Sequence, residues 1–290
     1  MLFDEDYLRQ LERLELALKK VSTTQHQGSQ KSSYAGSGLE FSGFRPYLPG
    51  DDYRYIDWNL YSRLEQLFLK LFQEEKESVY YLLVDKSKSM SFGQPPKMET
   101  ALKTAGALGY IGLLNYERVG AGFFAEELGA QFKPGKGKKR VHQLFDFLSQ
   151  NSEVRGKTDM NQAFSLFNYQ YKIPGTVIIL SDFFDEKGYR EGLSLLAQNG
   201  WQVYLIQILS PTEVNPELNG EYKLFDSETG EKKEVNIDQK MIQKYKNSLQ
   251  NYRQELLDYA RYYGMYYFFL ETDFDFENTI RELIQGKLLK

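Results

Sequence analysis

At 290 residues, with 41% apolar side chains and 15% aromatic ones that are nearly all Tyr (22) and Phe (20), the chain can bury a core as one large domain or two small ones. A net charge of −4 and a pI near 5.5 give no overall pull toward nucleic acid, and zero cysteines exclude disulfides and thiolate metal sites, which fits a reducing compartment. No run approaches the ~18 apolar residues of a membrane span, MLFDEDYLRQ lacks the charged-then-apolar layout of a signal peptide, and two distant histidines, His26 and His142, leave little from which to build zinc or triad chemistry. A cytoplasmic location is expected.

Asp4–Val21 carries Leu8, Leu11, Leu14 and Leu18 at spacings of three and four, an amphipathic helix that must pack on something. Ser22–Gly38, rich in Ser, Gln and Gly, reads as a polar linker, so residues 1–38 are expected to be helix plus linker. Glu40–Trp58 is dense in aromatics and Gly-Asp turns, with Arg45, Arg54 and Arg63 alternating with Asp51, Asp52 and Asp57. Bidentate Arg–carboxylate pairing would lock such a segment, and Arg54 and Asp57 are expected to be structural. With the sheet-forming run Leu67–Phe72, it predicts a small β-rich subdomain over 39–76.

Val79–Val84 is a run of β-branched, aromatic and leucine residues, the signature of a strand buried on both faces. Asp85, Ser87 and Ser89 then fall at its carboxyl end, where an open α/β sheet binds ligands. One carboxylate and two alternating hydroxyls form half a site for a hard cation, Mg²⁺ or Mn²⁺ rather than zinc. If the segment stays extended, Lys86 and Lys88 point away from it. Two further loops carry matching oxygens. Thr158 stands before the amphipathic stretch Met160–Tyr169, and Asp182 directly follows the second buried strand, Thr176–Ser181. One parallel sheet would bring all three loops to one edge.

Between and beyond these loops the pattern predicts a helix over Lys97–Asn115, strands over Arg118–Phe124 and Leu128–Phe132, and a helix over Val141–Leu148. The basic run Lys133–Arg140 reads as a solvated turn or a surface for a phosphate or an acidic partner. A helix over Gly188–Asn199, a strand over Gln202–Leu209, a hairpin with Thr229-Gly230 at its turn, a long helix over Asp238–Tyr263, a strand over Met265–Leu270 and a closing helix over Phe276–Leu289 complete the chain. Such alternation predicts an α/β fold with a doubly wound, mainly parallel sheet over 77–290, the hairpin being an insertion near 213–237. No nucleotide-cradling glycine motif occurs.

Asp85, Ser87, Ser89, Thr158 and Asp182, in that order, resemble the metal-ion-dependent adhesion site of von Willebrand factor A domains at all five positions. Tyr47, Pro49, Gly50, Asp51, Asp52, Arg54, Ile56, Asp57, Trp58 and Arg63 are similar to the signature of the bacterial domain of unknown function 58 family, in which that signature precedes a von Willebrand A domain. Leu224, Asp226, Glu228, Thr229, Gly230 and Glu231 resemble the family's hairpin motif.

The resemblance implies recognition rather than catalysis. In such sites the cation completes its shell with an acidic side chain of a partner, and members of the family are often encoded beside AAA+ ATPases of the MoxR type. An adaptor or co-chaperone for such an ATPase, or for its client proteins, is therefore expected, without enzymatic activity, nucleic-acid binding or a membrane span; peripheral membrane association stays open. Two other readings stay open as well: a metal-dependent phosphoester hydrolase, although such sites gather more carboxylates than the two found here, and a scaffold whose site holds no metal.

Overall fold

A computed structural model describes residues 2–25, 39–74, 79–217, 220–225 and 232–285. The polar linker over 26–38, the hairpin turn with Asp226, Glu228, Thr229, Gly230 and Glu231, and the end of the expected closing helix lie outside the described residues. The chain divides into two compact units, Met1–Thr23 with Ser78–Lys290, and Thr24–Glu77.

After the first helix, α1 (Glu5–Gln25), comes the smaller unit. Its strand β1 (Leu39–Pro46) pairs antiparallel with a later one over Phe68–Glu74. Between them lie a 3₁₀ turn at Tyr53–Tyr55 and a short helix, α2 (Trp58–Leu64), so a segment expected to be β-rich is partly helical; the Phe68–Glu74 strand is β2. The reason is local chemistry. Asp52 accepts from the Arg54 amide, and Asp57 accepts from the amides of Asn59 at 2.9 Å and Leu60 at 3.0 Å. Both carboxylates cap turns before they pair with arginine. Arg45 and Asp51 do form a bidentate pair, both contacts 2.7 Å. Arg54 instead meets Asp52 two residues away at the surface, and the basic partner of Asp57 is Lys70, at 3.3 Å.

The larger unit continues with β3 (Val79–Asp85), α3 (Lys97–Leu114), β4 (Arg118–Phe124), β5 (Leu128–Gly135), α4 (Arg140–Gln150), α5 (Met160–Gln170), β6 (Thr176–Ser181), α6 (Arg190–Gln198) and β7 (Gln202–Leu209). A one-turn helix α7 (Pro211–Val214), the hairpin β8 (Gly220–Phe225) and β9 (Lys232–Ile237), α8 (Gln239–Tyr262), β10 (Tyr266–Glu271) and α9 (Phe276–Leu283) follow. The fold is mixed α/β around a six-stranded sheet ordered β10-β7-β6-β3-β4-β5. Every neighbouring pair is parallel except β4–β5, whose three-residue connection permits only a hairpin.

Both faces of the sheet are covered. Leu82 and Val84 pack with Leu11 of α1, Leu108 of α3, Leu144 of α4 and Ile280 of α9. Their neighbours in sequence, Tyr81 and Leu83, turn to the opposite face and meet Phe164 of α5, Leu193 of α6 and Leu256 of α8. The N-terminal helix therefore belongs to the core of the larger unit: Leu11 and Leu14 are fully buried, each contributing about 1.5–3 kcal/mol, and the Tyr7 hydroxyl donates to the Lys103 carbonyl at 2.6 Å. Gly106 of α3 permits this close approach, since a Cβ there would lie 2.8 Å from the Tyr7 oxygen and 2.9 Å from Phe3. Among the described residues no helix is long and apolar enough to cross a membrane.

Candidate metal centre

Strand β3 lies between β4 and β6. From it the chain runs outward through β4 and β5, then returns to the other side of β3 to lay down β6 and β7. The strand order thus reverses between β3 and β6, and the crevice at their carboxyl ends is where an open sheet leaves room for a ligand. Asp85 is the last residue of β3, and Asp182 immediately follows β6.

The third loop crosses the same edge, since α4 packs on one face of the sheet and α5 on the other. Residues 151–159 join them, stitched down by backbone bonds from Arg155 to the Lys86 carbonyl at 2.7 Å, from Lys88 to the Gly156 carbonyl at 3.2 Å, and from Asp159 to the Ala125 carbonyl at 3.0 Å. Gly156, with a φ of 72°, makes the turn, a left-handed conformation that costs other residues energy. Thr158 therefore lies between the Gly156 anchor to Lys88 and the Asp159 anchor to Ala125.

The side chains converge there. Asp85 is fully buried; one oxygen accepts from the Ser87 amide at 2.8 Å and the other from the Ser181 hydroxyl at 2.6 Å. The hydroxyls of Ser87 and Ser89 lie 3.1 Å apart. The Thr158 hydroxyl oxygen is buried and has no hydrogen-bond partner among the described residues. Asp182, also fully buried, accepts from the Phe184 amide at 3.0 Å. Burial, and then the nearby charge of Asp182, push the Asp85 carboxyl up to about 7. The segment after Asp85 does not stay extended, because Lys88–Ser91 forms a 3₁₀ turn. Lys88 is nevertheless exposed, and the Lys86 side chain lies over Gly129 of β5.

Five participants, Lys97, Glu213, Ser181, Gln207 and Phe183, were not legible as site residues. Lys97, the first residue of α3, is fully buried, with its Nζ 2.7 Å from Asp182 and 2.6 Å from Glu213 of α7. Burial disfavours its charge, but the two carboxylates outweigh that and raise its pKa. Ser181 braces Asp85, and the Gln207 side chain donates to the Asp182 carbonyl at 3.0 Å. The one signal in the sequence was that Ser181 ends, and Phe183 shortly follows, a strand assigned to this edge; nothing local marked Lys97 or Gln207. Phe183, directly after Asp182, has a φ of 62°, a conformation costing a non-glycine residue roughly 1–2 kcal/mol. Its buried ring and the hydrogen bond that its amide donates to the Ser181 hydroxyl oxygen, 2.8 Å, hold it there.

The basic run Lys133–Arg140 lies elsewhere. Because β5 is antiparallel, its end at Gly135 sits beside Val119 at the start of β4, at the opposite end of the sheet from Asp85, which pairs with Phe124. Within the run, the Arg140 guanidinium is already engaged, lying 4.3 Å from the Phe132 ring centre and bonding the Lys133 carbonyl.

The donor set fits a small hard cation. Its oxygens are a hydroxyl buried without a partner among the described residues, two neighbouring hydroxyls and two buried carboxylates, of which Asp182 is already paired with Lys97. Among the described residues no group of three or more His, Cys, Asp or Glu side chains is placed to hold a metal, so any ion here would rely on hydroxyl oxygens for most of its protein ligands.

Comparison with known proteins places the chain among bacterial relatives. Uncharacterized protein Rv1480 of Mycobacterium tuberculosis and uncharacterized protein Mb1516 of Mycobacterium bovis are each 25% identical to it over 284 residues, covering 96% of this chain and 88% of theirs. Among solved structures, the conserved hypothetical protein BatB from Bacteroides thetaiotaomicron aligns with a TM-score of 0.46 at 16% identity, over 73% of this chain and 98% of its own. An aerotolerance-related membrane protein from Bacteroides fragilis aligns with the same values. The model of the family described as "Protein of unknown function DUF58" matches residues 43–255, from the β1 strand through most of the α/β unit, and the chain belongs to that family.

Proposed function

We propose that this chain is a non-catalytic protein-interaction module with a von Willebrand A-like metal site, in which Asp85, Ser87, Ser89, Thr158 and Asp182 hold Mg²⁺ or Mn²⁺ and an acidic side chain of a partner completes the shell. The partner class suggested by the family resemblance is a MoxR-type AAA+ ATPase or its client protein. The observation that carries this reading is that Asp85 and Asp182 are both buried at the adjoining carboxyl ends of β3 and β6, with the Thr158 hydroxyl buried and without a partner among the described residues on the loop bonded to the segment after Asp85. Leaving such a group unsatisfied costs roughly 1–3 kcal/mol, a cost that a cation bound to this hydroxyl would offset. The cation would supply a strong electrostatic anchor. Three of its five donors are neutral, so it keeps positive charge with which to attract a carboxylate.

A hydrolytic role finds less support. Lys97 and Ser181 engage the two carboxylates, which leaves neither free to act as a general base.

Thr158→Val tests the reading because it removes the hydroxyl while keeping the shape. In chelator the variant should be as stable as the parent chain or more stable, by up to about 1 kcal/mol in urea titrations. Its Mn²⁺ affinity by calorimetry should fall, and capture of a partner from extract in Mg²⁺ should weaken. An unchanged affinity, or parent-chain capture that is equal in Mg²⁺ and in chelator, would sink the proposal.

A further inference from the structure

The side chain at the site that a cation-binding reading does not call for is a cation. Lys97 is fully buried, its Nζ 2.7 Å from Oδ2 of Asp182 and 2.6 Å from Oε1 of Glu213. The rings of Phe92 and Phe184 flank it, with centres 5.9 and 5.6 Å from the ammonium. Taking an ammonium out of water is strongly unfavourable unless it is paired and hydrogen-bonded, and here two carboxylates meet that need. Glu213 is itself fixed, because Oε2 accepts from the Ser210 amide at 2.7 Å in a capping box at the start of α7. Lys97 is thus gripped between the loop after β6 and the loop after β7, with its charge directed at one of the two carboxylates of the proposed metal site.

We infer that Lys97 sets the charge of this site: by pairing with Asp182 it offsets one of the two carboxylates, so that a divalent cation is held loosely and keeps the positive charge that draws a carboxylate from outside. The inference rests on the proposed metal site and specifies why its outside ligand is anionic. Without Lys97, Asp85 and Asp182 would present two full negative charges to a divalent ion and nearly neutralise it, leaving little attraction for a further anion. With Lys97, Asp85 alone faces the ion with an uncompensated charge, beside the neutral hydroxyls of Ser87, Ser89 and Thr158. Affinity for a hard cation rises with the charge of its ligands, and an ammonium bonded to one of them lowers it.

The test uses the full chain and electron paramagnetic resonance of free Mn²⁺, with acetate as the probe carboxylate. Lys97→Met should bind Mn²⁺ roughly tenfold more tightly than the parent chain, or better. Acetate should tighten Mn²⁺ binding to the parent chain and do so less in the variant. A purely structural role for Lys97 would not produce a gain in affinity. The double variant Lys97→Met/Glu213→Gln, which leaves no unpaired Glu213, should show the same gain. If either variant unfolds in chelator, millimolar Mn²⁺ should restore its near-ultraviolet circular dichroism, and failure to do so overturns the inference. Folded variants that bind Mn²⁺ no better than the parent chain overturn it too, with the metal site intact. A parent chain that does not bind millimolar Mn²⁺ overturns the metal reading and this inference together.

Discussion

Two regions of the molecule carry dense charge, and they handle it in opposite ways. At the β3–β6 edge, Asp85, Lys97 and Asp182 are wholly removed from water, and their partners come from segments as far apart in sequence as 97 and 213. In the smaller unit the pairs are local and wet: Arg54 is 73% exposed and bonds Asp52, while Tyr53 and Trp58 beside them are 72% and 62% exposed. Buried charge costs energy unless it is paired or ligated, so it is kept where it does something. An exposed pair between neighbours in sequence is screened by water and holds little together. The contrast sets a buried, long-range charge cluster at the sheet edge against a smaller unit whose strand pair is joined by capped turns.

The largest effect that could break this comparison is expected at Lys97. In chelator, Lys97→Met should destabilise the larger unit by roughly 3 kcal/mol or more in urea titrations, because it strands two carboxylates with no cation. A loss no larger than that of a surface substitution would mean that water already reaches these groups.

Next comes pH. The native Asp85 carboxyl, raised to about 7 by burial and by Asp182, keeps its proton between about pH 4 and about pH 7, where the unfolded chain has lost it. The folded state then binds more protons than the unfolded one, so metal-free stability should fall as pH rises through that window. Asp85→Asn should flatten the dependence and, at about pH 7.5 in chelator, exceed the parent chain by on the order of 2 kcal/mol. Denaturation at about pH 5 and about pH 7.5 checks both statements; equal slopes for the two proteins would refute them.

Smaller effects sharpen the other side of the comparison. Asp57→Ala removes the cap of two α2 amides together with the Lys70 contact, and should lower the melting temperature by about a few degrees. Arg54→Ala should leave it unchanged, contrary to the structural role its place among alternating charges suggested. Thermal scans of the two variants side by side would decide, and equal losses would restore that role.

Much of this was legible because it is local. The run Val79–Val84 announces a strand buried on both faces, whereas the extended alternation expected through Asp85, Ser87 and Ser89 gives way to a 3₁₀ turn at Lys88–Ser91. The leucine stripe of α1 requires a partner surface, although the helix does not say that the surface is α3. The helical half of the smaller unit was missed because Asp52 and Asp57 were read as partners for arginine, when an aspartate before a turn satisfies backbone amides first. The hydroxyl of Ser181 was hidden in the opposite way, as the last residue of a strand whose other members are core.

By itself, then, the amino-acid sequence determined the elements, the family to which they belong, and the oxygens offered at each strand end, since periodicity, turn chemistry and motif spacing act over a few residues. Only the tertiary structure decided which of those ends meet. It put β6 on the far side of β3 from β4, so that the Asp182 loop reaches Asp85, and it reversed β5, so that the basic run lies at the other end of the sheet. It also turned Lys97, which opens α3 with nothing in its surroundings to mark it, into a buried ammonium between two carboxylates. The physical reason is that the cost of burying a charge depends on its partners, and here those partners arrive from residues 182 and 213, where no local pattern reaches.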